Sequence, residues 1–314
     1  MIRPARSAVL SIAATCCLGM FAFAEPSKAA EAAGAASAGP VALQPHRAIY
    51  DLTLSRSSSG SGVSEMNGRL VYEFTGAVCE GFTQNMRFVT RATSSDGSEQ
   101  LNDIRTSSFE EAGGERLDFS TTHNIDSQTQ VTEGRAARTS GAKPASGTPG
   151  GQPSDKDTGA KAEPGVKVEL KKPEARQLSL NAAVYFPIQH SLALLDIARA
   201  GGTKFEADLY DGSEKGDRVS ATTTFVGKPS TEGNEALPAS AKDKMANVRY
   251  WPIATSYFEK TAALAGQDAV PSHEMQARFY ENGVSTRLVL DYGDFALKGE
   301  LSEITFLPET KCGK

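Results

Sequence analysis

Along most of this chain, apolar side chains return at every second position in runs cut short by turn residues, the rhythm of strands with one buried face. Ala48, Tyr50, Leu52 and Leu54 alternate with Arg47, Ile49, Asp51 and Thr53, and Leu70, Tyr72 and Phe74 repeat the pattern. Phe82, Met86 and Phe88 then oppose Thr83, Asn85, Arg87 and Arg91. Further strands are expected over 102–110 and 116–124, split by Gly113-Gly114, and from 129 to about 136. Val166, Val168 and Leu170 resume the alternation, followed by Phe205, Ala207 and Leu209, then 220–226, 248–252, 273–280, 284–292 and 295–307. Asp211-Gly212 and Gly293-Asp294 mark turns, and Asn282-Gly283 is the clearest hairpin signal.

One run departs from this period. Ile188, Leu192 and Leu195, widened by Leu194 and Ile197, have helical spacing, with Pro187 suited to the start and Gly201-Gly202 to the stop. This amphipathic helix, about 188–200, is the only convincing one, and its stripe should plug the concave side of a curved sheet. About a dozen sequential strands with short connections predict a mainly β fold. Its large antiparallel sheet should curl into a barrel or part of one, since a flat sheet would leave long exposed edges. A two-sheet sandwich is the alternative.

The ends and interruptions bound the domain. Residues 1–24 read as a signal peptide, with Arg3 and Arg6 ahead of an uncharged apolar run that closes on Ala22-Phe23-Ala24. The run is short and Ala-rich for a membrane anchor, so export to the periplasm and cleavage near Ala24 are expected. Residues 25–40, mostly Ala, Gly and Ser, read as a flexible leader, and 41–314 as a single domain. Within it, 137–165 is too polar and Gly/Pro-rich to pack and is expected to be a disordered surface insertion, and 227–247 reads as a polar loop. No later apolar run reaches spanning length. The formal charge of −5 becomes two units more negative once Arg3 and Arg6 leave with the signal, which argues against nucleic acid as a partner.

Cys16 and Cys17 lie inside the signal, leaving Cys79 and Cys312. Two cysteines in an exported chain most simply pair with each other; free thiols are the alternative. There is no CxxC, so a pair so far apart reads as a structural staple worth roughly 4 to 5 kcal/mol in the chain-entropy model.

Motifs for chemistry are missing: no G-x-S-x-G elbow, H-E-x-x-H helix, P-loop or G-x-G-x-x-G. No cofactor is implied. His46, His123, His190 and His273 lack ligand spacing, so no metal site is expected and each reads as structural. His190 shares the helix with Asp196, but six residues separate them and a helix N-terminus disfavours an imidazolium. Tyr250, Trp251, Tyr257 and Phe258 cluster around Pro252 and offer an aromatic wall for a glycan or acyl chain, although such clusters more often form core. The weak ligand-binding candidates are therefore Trp251, Tyr250 and His190, and no residue is assigned a catalytic role.

Several stretches together resemble the EipB family of alphaproteobacterial periplasmic proteins, also described as DUF1849. They include Pro45-His46-Arg47-Ala48-Ile49-Tyr50-Asp51-Leu52, Val71-Tyr72-Glu73-Phe74-Thr75-Gly76, Cys79-Glu80-Gly81-Phe82 and Arg87-Phe88-Val89-Thr90-Arg91. Phe186-Pro187-Ile188-Gln189-His190, Leu209-Tyr210-Asp211-Gly212-Ser213-Glu214 and the run from Leu290-Asp291-Tyr292-Gly293 through Gly299 follow in order. The resemblance implies a β-spiral, an unclosed barrel like the carriers of lipoprotein localisation. It also implies a Cys79–Cys312 disulfide and a role in cell-envelope integrity. The residues and the resemblance together lead to the expectation of a non-enzymatic binding or scaffold module, its partner an envelope protein, a lipid or a peptidoglycan component. A lipid or lipoprotein carrier is the first alternative, and a hydrolase of envelope polymers using an unlocated carboxylate pair the second.

Overall fold

The computed structural model describes residues 41–139, 165–260 and 270–313. The expected signal and leader, and residues 140–164 of the expected insertion, lie outside the described residues. The chain runs β1 His46–Ser57, β2 Val63–Ala77, β3 Gly81–Ser94, β4 Glu99–Glu110, β5 Arg116–Ile125, β6 Gln128–Arg138, β7 Val166–Lys172 and β8 Arg176–Leu180. Helix α1, Pro187–Arg199, is followed by β9 Lys204–Leu209, β10 Ser220–Val226, α2 Ala239–Met245, β11 Tyr250–Glu259, β12 His273–Tyr280, β13 Ser285–Asp291 and β14 Phe295–Phe306.

All the strands belong to one 14-stranded sheet, ordered β8-β7-β6-β5-β4-β3-β2-β1-β14-β13-β12-β11-β10-β9. The chain starts mid-sheet, meanders to one edge, crosses through α1 to the opposite edge, and meanders back until β14 pairs with β1. Every pairing is antiparallel.

This topology forces curvature. Laid flat, 14 strands would stretch about 60 Å from edge to edge. The crossing segment holds a 13-residue helix, about 20 Å long, so the two edges must lie near each other. Contacts between sheet ends confirm it. Tyr185, after β8, bridges Leu209 of β9, Phe119 of β5 packs edge-on against Tyr210, and Arg176 of β8 pairs with Asp217 at 2.6 Å. Strands β8 and β9 do not pair with each other, so the sheet curls into an unclosed barrel rather than a two-sheet sandwich.

The interior is filled by α1. Its buried residues Leu194, Leu195 and Ala198 join Tyr50, Leu52, Leu70, Phe205, Trp251 and Tyr280 in one apolar cluster, and Ile188 packs with Phe74 and Phe82. A second apolar cluster, Leu117, Phe119, Val166, Val168, Phe186 and Tyr210, joins the two sheet ends. Pro187 occupies the first turn of α1 as expected, and Gly201, at φ +80°, closes its C-terminus by donating to the Ala198 carbonyl.

Two expectations need correction. Residues 227–247 are not simply a loop: they carry a 3-10 turn, Asn234–Ala236, and helix α2. Buried Leu237, Ala241 and Met245 fall four residues apart and seat this segment on the core, and Ser240 Oγ accepts from the Ile304 amide in β14. Second, the insertion begins later than residue 137, because β6 continues to Arg138, whose side chain is buried. Strand β8 was not expected: in its sequence, Arg-Gln-Leu-Ser-Leu, the alternation is limited to Leu178 and Leu180, and it lies on the sheet edge.

Candidate functional site

A junction inside the curl gathers buried polar groups at the start of α1. Strand alternation turns Glu110, the last residue of β4, inward, where it is 2% exposed. Its carboxylate caps α1: the Ile188 amide donates to Oε2 at 2.7 Å and the Gln189 amide to Oε1 at 3.0 Å. These are two of the N–H groups that every helix start leaves without internal partners. No α1 residue caps them, since the position before the helix is Phe186.

Arg138, the last residue of β6, lies beside this cap. It donates to the carbonyls of Gly114 (3.0 Å), Ala182 (2.9 Å) and Val184 (2.6 Å) and to Gln189 Oε1 (3.0 Å). Its guanidinium also sits over the Phe186 ring, 4.8 Å from the centroid. Gln189 in turn donates to the Gly113 carbonyl at 2.9 Å. Gly114 permits this approach, because a Cβ there would fall 1.8 Å from Gln189 Nε2. Burial raises the Glu110 carboxyl to about 7, against the lowering by the two amides and Arg138. Arg138 acts on it through space, its hydrogen bonds going to the carbonyls and Gln189.

A crevice of about 30 Å³ borders the first turns of α1, lined by Leu43, Tyr72, Phe74, Gln84, Ile188, Ser191, Phe279 and Gly283. That is room for about one water molecule. A second, shallow groove lies outside the curl along β9, β10 and β11, where Phe225 is 57% exposed.

The residues singled out from sequence are dispersed. His190 is buried; Thr222 Oγ, 3.0 Å from its Nε2, already donates to the Ala207 carbonyl, so Nε2 must carry a proton and donate to it. Burial lowers His190 to about 4, which leaves it neutral, and Asp196 is exposed. Trp251 and Tyr250, 2% and 4% exposed, are core residues and not a ligand wall. Tyr257 and Phe258 are half-buried and, as neighbours on one strand, face opposite sides of the sheet. Tyr257 instead stacks on His273 at 4.3 Å, in a row continued by Tyr292 and Phe295.

His46 donates from Nδ1 to the Gln44 carbonyl at 2.7 Å, and His123 pairs with Asn102 at 2.7 Å. No group of three or more His, Cys, Asp or Glu residues able to hold a metal occurs among the described residues. Cys79, in the β2–β3 turn, and Cys312, beyond β14, form a disulfide with Cα atoms 5.8 Å apart, and both residues are exposed. No helix among the described residues is long and apolar enough to cross a membrane.

Sequence reasoning missed the Glu110–Arg138 junction. The available signal was an acid at an inward position of β4 and a helix start with no capping side chain of its own.

The fold and junction define a class: an unclosed, barrel-like β-sheet wound around one helix that its own strands cap. A family model described as EipB-like matches residues 37–150 and 146–308. The Cell envelope integrity protein EipB of Brucella abortus (strain 2308) is 36% identical over 291 residues, covering 90% of this chain and 92% of that protein. A Brucella abortus crystal structure described as a beta-barrel-like protein of domain of unknown function DUF1849 superposes with a TM-score of 0.70. It is 32% identical, covering 85% of this chain and all of the other. The chain belongs to the EipB-like family.

Proposed function

We propose that this chain is a periplasmic protein that maintains the cell envelope as a binding or scaffold module, without catalysing a reaction. The observation that carries the proposal is near full-length similarity to a protein named for cell envelope integrity. The apolar N-terminal run ending in Ala22-Phe23-Ala24 supports export, and the Cys79–Cys312 disulfide suits an oxidising compartment. The non-enzymatic reading is supported by the state of two perturbed inward-facing groups of the kind that acid–base chemistry would use. Glu110 is sealed under α1 and His190 is held neutral by its surroundings, so neither reaches a substrate.

Deleting the gene should sensitise cells to detergents and cell-wall antibiotics; unchanged sensitivity to all of them refutes the envelope role. The partner is an envelope protein, a lipid or a peptidoglycan component. A carrier of lipid or lipoprotein is a second reading, favoured by the apolar interior, but a 30 Å³ crevice accommodates no acyl chain unless α1 moves. Mass spectrometry of gently purified protein that finds copurifying lipid above control would favour the carrier.

A further inference from the structure

We propose that β9 pairs along its free edge with the same edge of a second copy of this chain, the two strands antiparallel about Phe205, so that two curled sheets join into one. Strand β9 ends the sheet and pairs only with β10. Successive residues of a strand turn their backbone N–H and C=O to alternate sides, and the hydrogen bonds around β9 show which side is which. The Val226 amide of β10 donates to the Thr203 carbonyl at 2.9 Å. On the side away from β10, the Tyr185 amide donates to the Asp208 carbonyl at 2.7 Å and the Tyr210 amide donates to the Tyr185 carbonyl at 2.9 Å. Even-numbered residues of β9 therefore face the edge. Tyr185 covers that edge only at its Asp208 end, so the N–H and C=O groups of Lys204 and Glu206 have no backbone partner among the described residues.

Proteins keep an edge strand single with a proline, a bulge or an inward-pointing charge. Strand β9 has none of these: its ladder with β10 is regular, and its inward residues are Phe205, Ala207 and Leu209. Helix α1 lies against the inner face, where the His190 ring is 5.0 Å from that of Phe205, and leaves the outer face open. Lys204 and Glu206 are exposed there, and Phe225, the neighbour of Lys204 on β10, is 57% exposed. The opposite edge of the sheet differs, because Arg176 of β8 is engaged by Asp217 of the chain itself.

Charge selects a second copy as the occupant. A two-fold pairing about Phe205 sets Lys204 opposite the partner's Glu206 and Glu206 opposite the partner's Lys204, each as a pair that exchanges both backbone hydrogen bonds. Opposite charges then face each other directly across the new ladder. A register centred on Glu206 would oppose like charges and meet Tyr185 at Asp208. Within one copy Lys204 already reaches Glu206 at 2.8 Å, so the same groups only exchange partners on pairing. The paired stretch is short beside the roughly 1,200 Å² of a standard interface, and the dimer is therefore weak.

Sedimentation equilibrium of the purified protein should show a monomer–dimer equilibrium with Kd below about 1 mM. As concentration rises, amide exchange at Lys204 and Glu206 should slow, while Phe205 and Ala207, bonded to β10, stay protected throughout. Lys204→Glu and Glu206→Lys each place like charges across the interface and should each weaken self-association about tenfold. Mixed together, the two variants should form a heterodimer, because each then opposes the other's charge, a gain that a folding defect in either one does not produce. A monomer at every concentration up to about 1 mM would overturn the pairing and leave the edge to a strand of another protein. Species larger than a dimer, which would mean head-to-tail contact between β8 and β9, or single variants that stay apart when mixed would overturn it equally. None of these outcomes bears on the envelope role, which the deletion phenotype tests separately.

Discussion

Removing the Cys79–Cys312 disulfide should lower the melting temperature substantially while leaving the folded sheet almost untouched. The two cysteines are 233 residues apart, and closing so long a loop removes about 5 kcal/mol of unfolded-chain entropy in the chain-entropy model. The native side offsets part of that. Leu307 still donates to the Pro45 carbonyl, but residues 308–313 make no backbone hydrogen bond among the described residues. Freed from the disulfide, that exposed tail regains roughly 2 kcal/mol of conformational freedom. The net loss is about 3 kcal/mol, or about 6 to 12 °C for a domain of this size. Thermal melts followed by circular dichroism should show matching losses for reduced wild type and for Cys79→Ser. Hydrogen exchange below the transition should change only in the β2–β3 turn and the tail. A shift under about 2 °C, or loss of protection in β1, β2 and β14 on reduction, would refute this reasoning.

Other residues carry predictions of their own. Asn234 is 2% exposed, donates to the Met245, Ala246 and Val248 carbonyls and accepts from the Tyr280 hydroxyl. Asn234→Ala should cost about 2 to 4 kcal/mol in denaturant unfolding and expose residues 227–248 to exchange first; exchange confined elsewhere contradicts its role as the anchor. Leu195→Ala, fully buried between α1 and the sheet, should cost about 2 to 5 kcal/mol, whereas a cost under about 1 kcal/mol would mean that α1 is not packed in the curl. Gly114→Ala should destabilise the first turn of α1 through the clash with Gln189 and the strain of φ +69°, read as faster exchange of residues 188–192. Hydrogen bonds from Arg87 and Arg105 hold Asp103 down at about 2. Because its folded value is depressed, its contribution is present above about pH 4 and lost as pH falls through 2. For a surface pair that is at most about 1 kcal/mol, and Asp103→Asn should flatten that part of the acid-unfolding profile.

The fold was legible where a residue's burial follows from its neighbours along the chain. Alternation marked β1, β2, β3 and β14, because each has one face on the core. Pro187 and Gly201 bounded α1 because backbone chemistry fixes helix ends locally. Helix α2 was missed because its three anchors, Leu237, Ala241 and Met245, are embedded in a polar run, and only contact with β14 gives them a surface to bury against. The junction was hidden for a different reason. Glu110 and Arg138 end strands that are not neighbours, and they meet only because β4, β5 and β6 lie side by side under α1. Tyr250 and Trp251 misled as binding candidates because an aromatic pair reads the same in a core as in a ligand wall until the sheet's curl decides which side is inside.

The central claim, an exported protein that sustains the envelope, is tested most directly by complementation of a deletion strain. The full chain should restore resistance to detergents and cell-wall antibiotics, and the same chain lacking residues 1–24 should not, at equal protein levels. Restoration by the truncated chain would contradict export as the site of action, and failure of the full chain to restore resistance would contradict the envelope role itself.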